Sequence, residues 1–179
     1  MKTARIIITG GPCTGKSSLI KALHKKGYRS YLEVARAEIK RQLQKGTNLV
    51  PWDDVQGFSH QVMEGQLRQY HSALPGTLNF YDRGVPDLLA YLRKSAIHDA
   101  IIEQQARELQ YYPTLFIAPP WQDIYAQDNE RRESLAEMMD IHHHLLMVYQ
   151  DLHYQVLELP KASVQERLDF IFKHLSVHV

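Results

Sequence analysis

Apolar positions along this 179-residue chain follow two alternating rhythms, short solid runs and longer runs with helical spacing. The run "RIIIT" near the start is β-branched and unbroken, the pattern of a strand buried in a parallel sheet, and "SSLIKALHKK" behind it has the spacing of a helix. "GYRSYLE" reads as a second strand ending near Glu33. "EVARAEIKRQLQK" predicts a helix with Leu32, Ala35, Ile39 and Leu43 on one face and Glu33, Arg36 and Lys40 on the other. "GTNLVPW" breaks that helix, and Pro51 with Asp53 marks a new start. Val55, Phe58, Val62, Tyr70 and Ala73 then recur near helical spacing, although Gly57 and Gly65 each cost about 1 kcal/mol relative to alanine in a helix.

"GTLNFYDRG" predicts a third strand closing on Asp82, followed by helical segments at about 86–95 and 97–111. "PTLFIA" is a fourth strand, stopped by Pro119 and Pro120. The polar stretch "WQDIYAQDNERR" reads as a mobile loop, with Asp128 capping a long helix from about Arg132 to Leu152. "YQVLEL" gives a fifth strand and "SVQERLDFIFKHL" a closing helix. No repeat, low-complexity tract or linker-like shift in composition divides the chain, so residues 1–179 form one expected domain, a parallel sheet covered by helices on both faces.

Composition narrows the function classes. Twenty-one Lys and Arg against twenty Asp and Glu leave almost no net field, so there is no electrostatic case for nucleic acid or a membrane as the main partner. One cysteine, Cys13, excludes an intrachain disulfide and fits a reducing, cytoplasmic setting. The opening "MKTARIIITGG" reads as a strand rather than a signal peptide, because glycines interrupt its apolar run at once. His142, His143 and His144 invite a metal reading, but consecutive helical residues point about 100° apart and do not converge on one ion.

The most specific motif lies between the first strand and first helix. Gly10, four free positions, then Gly15, Lys16 and Ser17 satisfy G-x-x-x-x-G-K-[ST], a match expected by chance in roughly one chain of this length in a hundred or fewer. The residue types suit a polyphosphate. Glycines let backbone N–H groups turn inward without Cβ interference, and the helix start adds the positive end of its dipole. Gly11, Pro12, Cys13, Thr14, Gly15, Lys16, Ser17 and Ser18 are therefore the candidate nucleotide-binding residues, with Lys16 reaching the β- and γ-phosphates and Ser17 offering its hydroxyl to Mg²⁺.

Three further positions stand where chemistry would be needed. Glu33, at the end of the second strand, either orients or deprotonates an acceptor hydroxyl or simply starts a helix and pairs with Arg36. Arg36 holds an anionic acceptor group on the first of these readings. Asp82 ends a strand expected beside the first, which would bring it near Ser17 and a metal ion; a charge after buried strand residues is costly without a cation to face.

With the glycine loop, "YLEVAR", "FYDRG" and "DNERR" considered together, the chain resembles P-loop NTPases of the nucleoside and nucleotide kinase type. More narrowly, it resembles the AAA-type family that includes the ribosylnicotinamide kinase domain of the bacterial NAD-biosynthesis regulator. The resemblance implies a three-layer α/β P-loop NTPase fold, with a five-stranded parallel sheet of order 2-3-1-4-5. It also implies a substrate-side helical region at about 33–75 and a lid at about 121–132. Arg83 resembles the arginine of the "DR" signature that contacts acceptor or phosphate, and Arg131 and Arg132 are the lid arginines expected to meet the transferred phosphoryl group. The function so implied is ATP- (or GTP-) and Mg²⁺-dependent phosphoryl transfer to a small acceptor; the alternatives are a nucleotide-dependent switch and a plain NTPase.

Overall fold

The computed structural model describes residues 2–124 and 134–175. In chain order the elements are β1 (Ala4–Gly10), α1 (Lys16–Lys25), β2 (Arg29–Tyr31), α2 (Val34–Lys45), α3 (Val55–His71) and β3 (Leu78–Asp82). They continue with α4 (Val85–Lys94), α5 (Ala100–Glu108), β4 (Thr114–Ala118), a single 3₁₀ turn (Gln122–Ile124), α6 (Leu135–Asp151), β5 (Gln155–Glu158) and α7 (Val164–Leu175). The five strands form one parallel sheet in the order β2-β3-β1-β4-β5, as expected.

Alternation along the strands divides the core. Ile6 and Ile8 of β1, with Phe80 and Phe116 of the neighbouring strands, face α1 and α7, whereas Ile7, Leu115 and Ile117 face α2 through α6. All three isoleucines are fully buried, and each such side chain contributes about 1.5–3 kcal/mol of burial. The register sets Ile8 of β1 opposite Asp82 of β3 on one side and Phe116 of β4 on the other. The carboxyl end of β3 therefore lies beside the turn that leaves β1.

Several boundaries move from those read in the sequence. The second strand ends at Tyr31 rather than near Glu33; Leu32 is 58% exposed and Glu33 is the N-cap residue of α2. The predicted apolar face of α2 is only partly right, because Leu32 and Leu43 face solvent while Ile39 and Gln42 are buried. Gln42 is held there by hydrogen bonds, donating to Glu38 and accepting from Thr47 Oγ1. Asp54, not Asp53, caps α3, accepting from Gly57 N at 2.8 Å.

Gly65 has a packing reason. A Cβ there would come within 2.4 Å of Val34 Cγ1, so its absence allows α2 and α3 to touch. The long helix α6 begins at Leu135, capped by Ser134 in a reciprocal box with Glu137, rather than at Arg132 behind Asp128. Its buried stripe runs through Met138, Ile141, Leu145, Val148 and Tyr149.

Candidate functional site

β1 ends in Gly10, and the turn to α1 is built from two left-handed residues, Cys13 (φ 57) and Gly15 (φ 82). Left-handed turns of this kind aim successive backbone N–H groups into one concave nest, an anion site with α1 opening directly behind it. Lys16 is only 4% exposed; its Nζ donates to Gly11 O at 2.6 Å and to Thr14 Oγ1 at 3.2 Å, so the ammonium lies against the loop. Thr14 Oγ1 in turn donates to Gly11 O at 2.9 Å and braces the turn from inside.

Asp82 meets the loop from β3. Ser17 Oγ donates to its Oδ2 at 3.3 Å, while its Oδ1 is buried and has no hydrogen-bond partner among the described residues. Burial, and then the Glu33 carboxylate, push the Asp82 carboxyl up to about 6 against the pull of Lys16 and Arg83. A serine hydroxyl beside an unsatisfied buried carboxylate oxygen is a hard oxygen donor set, the kind that suits Mg²⁺ and its waters, so the residues fit the ion.

Behind Asp82 the backbone turns sharply. Arg83 adopts the left-handed region (φ 72), and its Nε donates to Glu33 Oε1 at 2.9 Å while Nη1 donates to Asp87 Oδ1 at 3.2 Å. Asp87 is fully buried in α4 and gathers four donors: Arg83, the Thr9 hydroxyl of β1, the Tyr149 hydroxyl of α6 at 2.5 Å and Gly84 N at 2.9 Å. Glu33 caps no backbone N–H with its side chain. It is instead directed across to Arg83, which an i,i+3 helix-start reading does not anticipate.

Glu33, Arg36 and Arg83 line one pocket together with Pro12 of the loop. Phe58, Val62, Leu88 and Tyr91 supply apolar walls, and Gln66, 4% exposed, has a buried Oε1 with no partner among the described residues. The predicted site residues Gly11 to Ser18, Glu33, Arg36, Asp82 and Arg83 thus converge at the carboxyl edge of β1, β2 and β3. Arg131 and Arg132 lie outside the described residues, as does Asp128.

Two residues in contact with the site escape sequence reasoning. Asp87 of α4 and Arg167 of α7 carry no motif that singles them out. Arg167 is in fact 2% exposed, and its Nη1 donates to Thr14 O at 3.2 Å. Away from the site, His142 is half-buried, with Nε2 3.8 Å from Glu158 and Nδ1 unpartnered among the described residues. No helix of the described residues is long and apolar enough to cross a membrane.

A phosphate-type loop at the central strand of a 2-3-1-4-5 parallel sheet is the architecture of P-loop NTPases of the kinase-like class. A family model described as an AAA domain matches residues 5–167, and the chain belongs to that family. No curated protein matches it in sequence. Among solved structures it is similar to a deoxyadenosine kinase from M. mycoides with dCMP and dCDP bound, at TM-score 0.67 and 10% identity over 97% of this chain and 98% of that one. A NadR protein in complex with NR matches at TM-score 0.68 and 15% identity, covering 99% of this chain and 52% of that one. Thymidylate kinase from Candida albicans matches at TM-score 0.66 and 16% identity over 99% and 94%. At these identities the likeness is one of fold.

Proposed function

We propose that this protein is an ATP- or GTP-dependent, Mg²⁺-dependent phosphotransferase acting on a small nucleoside-, nucleotide- or vitamin-like acceptor. The observation that carries this reading is the pocket joined to the loop through Pro12 and walled by Glu33, Arg36, Arg83 and Phe58. A switch or a plain NTPase has no need of a carboxylate and two arginines lining an apolar-walled pocket at its junction with the phosphate loop. The names of the similar structures, a deoxyadenosine kinase and a thymidylate kinase, support the acceptor class without choosing a member.

In this reading the loop N–H groups and Lys16 hold the nucleotide's phosphates and offset their charge. Ser17 and Asp82 would hold Mg²⁺, which neutralises charge on the phosphate oxygens when bound. Glu33 accepts a hydrogen bond from the acceptor hydroxyl and takes its proton as the oxygen–phosphorus bond forms and the bond to the nucleoside diphosphate breaks. Arg83 fixes the carboxylate's direction, and Asp87 fixes Arg83. Arg36 faces an anionic group of the acceptor. The lid at about 121–132, with Arg131 and Arg132, supplies further positive charge to the phosphoryl oxygens.

The test is a screen of nucleosides, nucleotides and vitamin-like alcohols for stimulation of ADP release. One stimulating class identifies the acceptor. A flat response across the panel, with nucleotide binding intact, overturns the kinase reading in favour of a switch or NTPase.

A further inference from the structure

Among the described residues, Arg167 is a buried cation without a counter-charge. It is 2% exposed, its Nε is buried without a hydrogen-bond partner, and no carboxylate pairs with it among the described residues. Burial draws the guanidinium below its ordinary pKa. Sequestering a charge in this way is costly unless an anion or a set of acceptors offsets it, and among the described residues a single carbonyl, Thr14 O, accepts from it.

The direction of that one bond matters. A trans peptide holds its C=O and N–H antiparallel, so a guanidinium on the Thr14 carbonyl turns the Gly15 N–H to the opposite side of the peptide plane. Gly15 is left-handed (φ 82), and a Cβ on it would come within 2.8 Å of Arg167 Nη1, so the arginine is packed directly against this peptide. The bond also polarises the peptide and strengthens its N–H as a donor. Lys16 approaches the same loop on Gly11 O and Thr14 Oγ1, whereas Arg167 reaches it from α7.

We propose that Arg167 is a positioning residue for the polyphosphate of a bound nucleotide: it locks the Thr14–Gly15 peptide with its N–H toward the phosphates and supplies a second positive charge behind the loop. This rests on the phosphate-binding part of the proposed function and not on the acceptor.

The test compares ATP and adenosine affinities, by calorimetry without acceptor, in the parent, Arg167→Gln and Arg167→Lys, together with the unfolding midpoint of each nucleotide-free protein. Arg167→Gln is expected to weaken ATP about tenfold or more, a difference of about 1.4 kcal/mol or more, while leaving adenosine unchanged and the midpoint no lower. Arg167→Lys, which keeps the charge, is expected to restore most of the ATP affinity. Arg167→Met takes the place of the glutamine variant if that one does not fold. Equal ATP affinity in a neutral variant and the parent overturns the assignment, as does an equal loss for ATP and adenosine or a loss that tracks a lower midpoint. Where the parent binds only GTP, the comparison is made with GTP and guanosine; a parent that binds neither ATP nor GTP overturns the phosphate-site reading itself, a result distinct from either.

Discussion

Arg83 and Glu33 face each other across fifty residues of chain, with Nε 2.9 Å from Oε1 and side chains 6% and 15% exposed. The pair ties the end of β3 to the start of α2, and the second arm of Arg83 on Asp87 prevents the guanidinium from swinging away. A carboxylate held in this way is oriented before any ligand arrives, and preorganisation of that kind is what the proposed positioning role requires.

Glu33→Gln keeps the shape and removes the charge. If Glu33 takes the acceptor's proton, acceptor-dependent kcat falls by about 10²- to 10⁴-fold while nucleotide Kd stays nearly constant. Steady-state rates and calorimetry on the same preparation check both arms. A parent-like kcat removes Glu33 from the reaction.

Lys16→Ala tests the loop itself. A ligand at ~100 times its Kd adds about 2.7 kcal/mol to the folded state, so Mg-ATP should raise the melting temperature of the parent, and most of that rise should vanish in the variant. Retention of the full shift would show that the ammonium is not a phosphate contact.

Asp82→Asn separates metal binding from folding. The substitution removes a buried charge that faces Glu33 and has an unsatisfied oxygen, so the nucleotide-free protein should melt no lower than the parent. The Mg²⁺ concentration giving half-maximal activity should nevertheless rise by about tenfold or more. Superimposable Mg²⁺ titrations would assign Asp82 a structural part only.

Asp99 predicts how the fold responds to acid. It caps α5 through Ile101 N and Ile102 N and accepts from Gln56 and His60 of α3, each at 2.8 Å. Burial alone would raise its pKa, but the bonds from Gln56, Ile102 N–H and His60 prevail and lower it from 3.8 to about 2. A depressed folded-state pKa stabilises the protein above the unfolded value and loses that stabilisation as pH falls through the folded one. The parent should therefore lose stability more steeply than Asp99→Asn between about pH 4 and pH 2, and Asp99→Ala should cost about 1–2 kcal/mol near neutral pH. Urea unfolding across that range decides it; parallel pH profiles would refute the coupling.

The parts of the site that lie close together in sequence were the readable ones. The loop from Gly10 to Ser18 carries its own geometry, and Asp82 could be read because a strand ending in a charge must face something. Asp87 and Arg167 carry no such local sign: their burial comes from Thr9 and Tyr149 in one case and from the Thr14 carbonyl in the other, all distant in sequence. On α2, counting apolar residues placed Ala35 and Ile39 correctly but missed at the ends, because Leu32 precedes the helix and a hydrogen-bonded glutamine, Gln42, takes the inward position beside Leu43. At α6 the local signal was present, since Ser134 and Glu137 have the spacing of a capping box, but Asp128 competed for the same role.

The bare α-carbon of Gly65 has a consequence for how this protein can change. Val34 rests where a side chain on residue 65 would project, and Val34 directly follows Glu33. A methyl group added at 65 would wedge α2 outward and move the Glu33 carboxylate without touching any ligand. If Glu33 meets an acceptor as proposed, acceptor preference would be adjustable from the contact between α2 and α3, and the tolerance of position 65 to substitution becomes a gauge of how finely the carboxylate must be set.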